Sequence, residues 1–86
     1  MKISYTKRFE KHYKKLSQKF KDKTLFAIGK FSKNPRDPVL YNHALQGKLE
    51  GFRSISVTGD IRIIFREYDE YVLVVMIDIG THSQLY

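Results

Sequence analysis

Apolar residues in the N-terminal part of the chain recur at helical spacing. Residues 2–5 alternate as a short strand would, and Thr6 is placed to cap a helix with its hydroxyl. An apolar stripe follows, formed by Phe9, Tyr13, Leu16 and Phe20. Its spacing predicts an amphipathic helix.

A second helix is predicted to follow directly, with Asp22 as its cap. Its buried face is expected to consist of Leu25, Phe26, Ile28 and Phe31. Asn34-Pro35 should end this helix, because proline disfavours helical geometry in the residue before it.

The C-terminal half is patterned as strands. Three are predicted, at residues 51–57, 60–67 and 71–79. Thr58-Gly59 fits a tight hairpin turn with positive φ at the glycine, and residues 68–70 fit a second turn. Residues 72–77 are almost continuously apolar, as in a central strand covered on both faces. The order β-α-α-β-β-β predicts an α+β fold, in which an antiparallel sheet packs one face on an N-terminal helical hairpin and leaves the other, concave face open.

Composition limits the classes of protein. With 86 residues, 42% of them hydrophobic, the chain is expected to form one globular domain, residues 1–86. The absence of cysteine excludes disulfides, thiolate catalysis and cysteine-based zinc sites. No segment resembles a signal peptide or approaches the ~20 apolar residues of a membrane span. We therefore expect a soluble, cytoplasmic protein with no membrane partner.

Positive charge is concentrated in the first half. Residues 1–48 contain 13 basic and 3 acidic groups, whereas residues 49–86 contain 3 basic and 6 acidic groups. This asymmetry favours a polyanionic partner. The candidate RNA-binding or ribosome-binding residues on the first helix are Lys7, Lys11, Lys14, Lys15 and Lys19. The alternative is a solvated helix face. His12 lies on the same face, roughly opposite the apolar stripe, and is expected to have no functional role.

Three motifs resemble those of one protein family. They are His43-Ala44-Leu45-Gln46-Gly47, then Gly51-Phe52-Arg53 with Gly59-Asp60-Ile61-Arg62-Ile63-Ile64-Phe65, and Gly80-Thr81-His82-Ser83-Gln84-Leu85-Tyr86. In this order and spacing they resemble the RelE/ParE superfamily of bacterial toxins, and within it the YafQ-like mRNA interferases. Ser54, Ser56 and Ile61 depart from the pattern, which has aspartate, histidine and an aromatic residue at these positions.

The resemblance implies a ribosome-dependent endoribonuclease of a type II toxin–antitoxin pair. Such toxins cut messenger RNA in the ribosomal A site by attack of a 2′-hydroxyl on the adjacent phosphate, which leaves a cyclic phosphate. They use neither a metal ion nor another cofactor. The implied partners are the ribosome, mRNA and a cognate antitoxin, with which the toxin forms a hetero-oligomer.

The residue types suit that chemistry, which needs a base, an acid and positive charge at the phosphorane. By resemblance His43, Asp60 and His82 are the catalytic residues, and which histidine is acid or base stays open. The substrate- or phosphate-binding residues are Arg53, Arg62 and Tyr86.

Each candidate also has a purely structural interpretation. His43 could be a solvated loop residue and Asp60 a turn residue beside glycine. Arg62 could form a salt bridge to Asp60, and Tyr86 could be an aromatic plug that closes the core. Two other functions stay open: a ParE-like non-nuclease toxin that acts on DNA gyrase, and a non-catalytic RNA-binding domain.

Overall fold

The predicted order of strands and helices is confirmed, with one short strand, one short α-helix and two 3-10 helices (Pro38–Leu40 and Gly47–Leu49) added. The computed structural model describes residues 1–86. Its elements are β1 (Lys2–Tyr5), α1 (Lys7–Lys14), α2 (Gln18–Lys33), β2 (His43–Ala44), β3 (Arg53–Ser56), β4 (Ile61–Tyr68), β5 (Leu73–Thr81) and α3 (His82–Leu85). The added strand is the two-residue β2, and the added α-helix is the single turn α3. Each lies within one of the motifs described above.

Thr6 caps α1 as predicted and also ties it to the sheet. Its Oγ1 accepts the Phe9 N–H at 3.0 Å, and its hydroxyl donates to the Ile77 carbonyl of β5 at 2.6 Å. One side chain thus satisfies a free amide of the first turn and fixes where the helix starts relative to β5.

The boundary between the two helices lies earlier than predicted. α1 ends at Lys14, and α2 begins after Ser17, whose hydroxyl accepts the Phe20 N–H at 3.4 Å. Asp22 is therefore not a cap but an interior residue of α2, where it accepts a hydrogen bond from Gln18. The apolar stripe continues unbroken through the turn, so its spacing does not reveal the break.

The buried face of α2 was also predicted in part wrongly. Leu25 and Phe26 are exposed, whereas Ile28 and Phe31 are buried as expected. The side chains that α2 buries are Thr24, Ala27, Ile28 and Phe31, which are spaced by about one helical turn. Phe31 meets the Phe65 ring of β4 edge-on at 4.9 Å between ring centres, and this contact joins α2 to the sheet.

The sheet has the strand order β1-β5-β4-β3-β2. The pairs from β2 to β5 are antiparallel, as predicted, while β1 pairs with β5 in parallel. The helical hairpin between β1 and the other strands supplies the long connection that a parallel pair requires. β5 is therefore an interior strand, paired along both edges, in agreement with its apolar sequence.

A β-bulge keeps the core side of β5 continuous. The register shifts between Ile64 and Phe65, which pair with Asp78 and Met76 and leave Ile77 as the extra residue. Met76 and Ile79 are three residues apart and would face opposite sides of a regular strand. With the bulge, both are buried in the main core.

The second face of the sheet had been predicted to be open, but it is partly covered. Ser54 and Ile64 alternate with core residues and so point to this face, yet both are buried. Leu45 and Leu49 line a cleft together with Arg62, which places the segment before β3 over the same face. The Leu45 N–H donates to the Phe52 carbonyl at 3.0 Å, so this segment closes on itself.

One predicted turn differs in backbone conformation and the other differs in its bounds. Gly59 does not have positive φ; the glycines that do are Gly47 and Gly51. In the β4–β5 connection, positive φ occurs at three successive residues that are not glycine, namely Asp69, Glu70 and Tyr71. Tyr71, predicted to begin the last strand, lies in this turn with its ring buried and its hydroxyl bonded to Asn42.

A side-chain hydrogen bond between His12 of α1 and Asp78 of β5 should contribute to stability. His12 Nδ1 lies 2.6 Å from Asp78 Oδ1, and the Asp78 side chain is mostly buried. A double-mutant cycle with His12→Gln and Asp78→Asn should give a coupling of about 1 kcal/mol in the free energy of unfolding, measured by urea denaturation. The partly exposed pair Lys30–Asp37, at 4.0 Å, is the control and should give a coupling near zero. Equal couplings for the two pairs would contradict this assignment.

Candidate active site

One cleft brings together residues from three separate parts of the sequence. It has a volume of about 370 Å³ and is lined by His43, Leu45, Gln46, Leu49, Arg62, His82 and Tyr86. His43 comes from β2, Arg62 from the start of β4, and His82 from the turn that follows β5. Two imidazoles, a guanidinium and a phenol thus face the same space. These groups can exchange protons, bind a phosphate and stack on a base.

The position of His82 depends on the end of β5. The His82 N–H donates to the Asp60 carbonyl at 3.1 Å, which extends the β4–β5 pairing by one bond. Thr81 then caps α3 through a capping box, in which its side chain accepts the Gln84 N–H and Gln84 Oε1 accepts the Thr81 N–H. These bonds direct the turn back over the sheet.

Gly80 makes room for that turn. A Cβ atom at this position would lie 2.8 Å from Gln84 Oε1 and 3.5 Å from Leu85 Cδ2. Gly80 pairs with Arg62 across β4 and β5, so the close approach occurs directly beside the cleft. A larger residue at position 80 would therefore force the Gln84 side chain out of its capping position.

Tyr86 stands over the entrance of the cleft rather than in the core. Its ring lies 4.6 Å from the His82 ring, and 46% of the residue is exposed. It does not close the core as an aromatic plug would. The exposed ring leaves a π-face on which a nucleobase could stack.

His43 is oriented by the backbone next to it. Its Nδ1 lies 2.7 Å from the Tyr41 carbonyl oxygen, which can only accept, so Nδ1 carries the proton of this bond. Nε2 is then the nitrogen that is free to gain or lose a proton. The exposed ring is thus held by a defined hydrogen bond and is not a freely rotating loop residue.

Asn42 fixes the loop that presents His43. Its amide group donates to the Pro35 carbonyl and to the Tyr71 hydroxyl, both at 2.9 Å, and its Oδ1 accepts from Arg53 Nε at 2.8 Å. Arg53 does not line the cleft; its guanidinium contacts Asn42 instead. No sequence pattern singles out Asn42, because its three partners lie far apart in the chain.

Arg62 forms the border between this cleft and a second one. The second cleft, of about 580 Å³, shares only His43 and Arg62 with the first. Its other lining residues are Val39, Tyr41, Ser56, Val57, Thr58 and Gly59. Arg62 is held by a bond of 2.8 Å to the Thr58 carbonyl, and no salt bridge joins it to Asp60.

Asp60 lies next to the cleft but does not line it. It is exposed in the turn before β4, where its N–H donates to Thr58 Oγ1 at 3.2 Å and its carbonyl accepts from His82. Its contacts to the site are therefore made by its backbone.

The lysines divide between two helices. Lys7, Lys11 and Lys14 lie on α1, and Lys15 is its C-terminal cap, whereas Lys19 belongs to α2. All five are exposed. Lys15 lines a small cleft with His12, Asp78 and the inner side of α3, so the basic helix ends directly behind the candidate site. His12 is half-buried and lies against Asp78, so it has a structural contact on this face.

The structure contains no group of three or more His, Cys, Asp or Glu side chains placed to hold a metal ion. It also contains no helix long and apolar enough to cross a membrane.

Comparison with known proteins identifies the family. The sequence matches the family of bacterial toxins of type II toxin–antitoxin systems, YafQ, over residues 1–86. The chain belongs to the YafQ toxin family. No curated protein sequence matches it.

Solved structures agree with this family. The chain is similar to YafQ from E. coli strain BL21(DE3), with 28% identity and a TM-score of 0.79 over 98% of this chain and 96% of that one. It is also similar to the E. coli DinJ–YafQ toxin–antitoxin complex, with 28% identity and a TM-score of 0.77 over 98% and 94%. A YoeB/ParE toxin from Agrobacterium tumefaciens shares the fold, with 19% identity and a TM-score of 0.78 over 95% and 99%. The RelE-like α+β fold and the toxin class are thus established for this member of the YafQ family.

The packing of α3 on Gly80 can be tested by adding one methyl group. Gly80→Ala should push the Gln84 side chain away and break the bond between Gln84 Oε1 and the Thr81 N–H. We expect amide resonances of residues 81–86 to shift and the free energy of unfolding to fall by about 1 kcal/mol.

The matched control is Gly29→Ala, on the exposed side of α2, where an added Cβ meets nothing within 4 Å. That change should stabilise the protein by about 0.5–1 kcal/mol through helix propensity. A Gly80→Ala variant as stable as the wild type, with unshifted C-terminal resonances, would refute the close packing.

Proposed function

We propose that this protein is a ribosome-dependent endoribonuclease that cuts messenger RNA without a metal ion. The observation that carries the proposal is that one cleft is lined by His43, Arg62, His82 and Tyr86. Cleavage by a neighbouring 2′-hydroxyl needs a proton acceptor, a proton donor and a positive charge at the phosphate. A substrate phosphate bound at Arg62 would have an imidazole available for each proton transfer.

The chemistry divides between the two histidines and Arg62. One imidazole removes the proton of the 2′-hydroxyl as its oxygen attacks phosphorus, and the other protonates the departing 5′-oxygen, so that a cyclic phosphate and a free 5′-hydroxyl result. The Arg62 guanidinium stabilises the charge that develops on the phosphorane. The hydrogen bond from His43 Nδ1 to Tyr41 supports Nε2 as the reactive nitrogen in either role.

Tyr86 is proposed to bind the substrate by stacking on a base next to the cut. Arg53 and Asp60 are proposed to act indirectly. Arg53 holds the loop through Asn42, and Asp60 anchors His82 through its carbonyl. This refines the expectation that Arg53 binds phosphate and that the Asp60 carboxylate takes part in catalysis.

We further propose that the lysines of α1 bind ribosomal RNA and that an antitoxin covers part of this basic surface. The DinJ–YafQ complex supports a protein partner for members of this family. An acidic antitoxin segment would complement the 13 basic groups of residues 1–48. The toxin–antitoxin complex would be a cytoplasmic hetero-oligomer.

Loss of an imidazole should abolish most of the cleavage. His82→Ala and His43→Ala should each lower single-turnover cleavage of mRNA on programmed ribosomes by about 100-fold or more, because each removes one proton-transfer role. Both side chains are exposed, so thermal stability should not change. Primer extension of the messenger after brief induction gives the positions of the cuts.

Ser83→Ala is the matched control, since Ser83 is exposed on the same turn as His82. It should retain full cleavage. Wild-type levels of cleavage in His82→Ala would remove this histidine from the mechanism. Arrest of DNA replication with translation intact would instead favour the gyrase-directed alternative.

The basic helix face should control ribosome affinity through salt. Lys11→Gln with Lys14→Gln should lower the slope of log affinity against log salt by about 0.7–0.9 per lost phosphate contact. The control pair, Lys2→Gln with Lys33→Gln, changes the net charge equally at exposed sites outside this face. Binding to purified ribosomes between low and physiological salt gives both slopes. Identical slopes for the two pairs would refute a specific role of α1.

A further inference from the structure

Tyr41 is a large aromatic residue that the fold itself does not need. Its side chain packs against no core residue cluster, and 71% of the residue is exposed. Its backbone has φ 50° and ψ 44°, in the left-handed region where glycine and asparagine are favoured and bulky residues are rare. Neither burial nor backbone preference therefore accounts for a tyrosine at this position.

Tyr41 instead lines the second cleft, which adjoins the first at His43 and Arg62. This cleft and the first share His43 and Arg62, and no other lining residue is common to both. Tyr86 lines the first cleft and Tyr41 the second. A phosphate held at Arg62 would therefore have one exposed aromatic ring to either side of it.

Tyr41 is also tied to the reactive histidine. Its carbonyl accepts the His43 Nδ1–H, and its neighbour Asn42 is fixed by three hydrogen bonds. The backbone that presents the ring thus has little freedom to move relative to His43. Beside the ring, Ser56 and Thr58 add polar groups to the cleft wall.

We propose that this second cleft is a nucleobase subsite, in which Tyr41 stacks on the base across the scissile phosphate from the one that stacks on Tyr86. This inference rests on the proposed nuclease function. In-line attack of a 2′-hydroxyl requires the sugar–phosphate backbone to leave the stacked A-form geometry. Two aromatic platforms on opposite sides of the phosphate would hold the two bases apart in that reactive arrangement.

The experiment measures base stacking separately from cleavage. The probes are two messenger RNAs presented on programmed ribosomes, in which the riboses of the A-site codon are 2′-O-methylated, so that they cannot be cut. Each carries 2-aminopurine at one of two adjacent positions of that codon, and stacking on an aromatic ring quenches its fluorescence. Wild-type protein should quench both probes.

Tyr41→Asn removes the ring and keeps a residue that tolerates the left-handed backbone. It should lose the quenching of one probe, weaken RNA binding about 10-fold, and leave the melting temperature unchanged or raised. Tyr41→Phe should retain quenching of both probes. Tyr86→Ala should lose quenching of the other probe, and Tyr68→Thr, at the far end of β4, should lose neither.

Failure of wild type to quench the probes, or full quenching by Tyr41→Asn, would overturn the subsite. So would a large drop in melting temperature of Tyr41→Asn, which would make the ring structural. Weaker antitoxin binding by this variant with unchanged RNA quenching would reassign Tyr41 to a protein interface. None of these outcomes touches the nuclease proposal, which the cleavage assay of the histidine variants decides separately.

Discussion

The candidate site depends on the pairing of β5 along both of its edges. β1 pairs in parallel with the first residues of β5, Leu73 to Met76, and β4 pairs with β5 in antiparallel register up to Thr81, so a shift of β5 would break hydrogen bonds along both edges. That register sets Gly80 opposite Arg62 and Thr81 opposite Ile61. The capping box at Thr81 then carries His82 and Tyr86 back over the cleft. The single helical turn α3 would not be stable by itself. Its attachment to β5, which is paired along both edges, fixes its position.

The other side of the cleft is fixed in a different way. β2 is only two residues long and lies at the edge of the sheet, so strand pairing alone would hold His43 loosely. Asn42 compensates by joining Pro35, Tyr71 and Arg53. The ring of Tyr71 is buried and packs against Phe31 and Phe65, so the Asn42 network is attached to the core. The two histidines thus meet because one is anchored by a central strand and the other by a side-chain network.

Sequence patterns predicted what is local and periodic. The Thr6 cap, the end of α2 before Pro35 and the interior character of β5 follow from capping chemistry, proline sterics and apolar runs. The break at Ser17 was missed because the apolar stripe crosses it without interruption. Side-chain contacts between distant segments leave no periodic signal, so neither the His12–Asp78 pair nor the Asn42 network could be found. The motifs indicated His43, Arg62 and His82 as candidate site residues. Their common position in one cleft is visible only in the folded structure.

The serine at position 56 bears on both proposals. Ser56 pairs with Arg62 across β3 and β4 and lines the second cleft, at the position where the motif resemblance implies a histidine. Serine cannot replace an imidazole as a neutral-pH acid or base without activation, so His43 and His82 must carry both proton transfers if the chain is a nuclease. An imidazole at this position would also take up space in the cleft that Tyr41 lines. The same substitution that removes a titratable group therefore leaves room for a base between Tyr41 and Arg62.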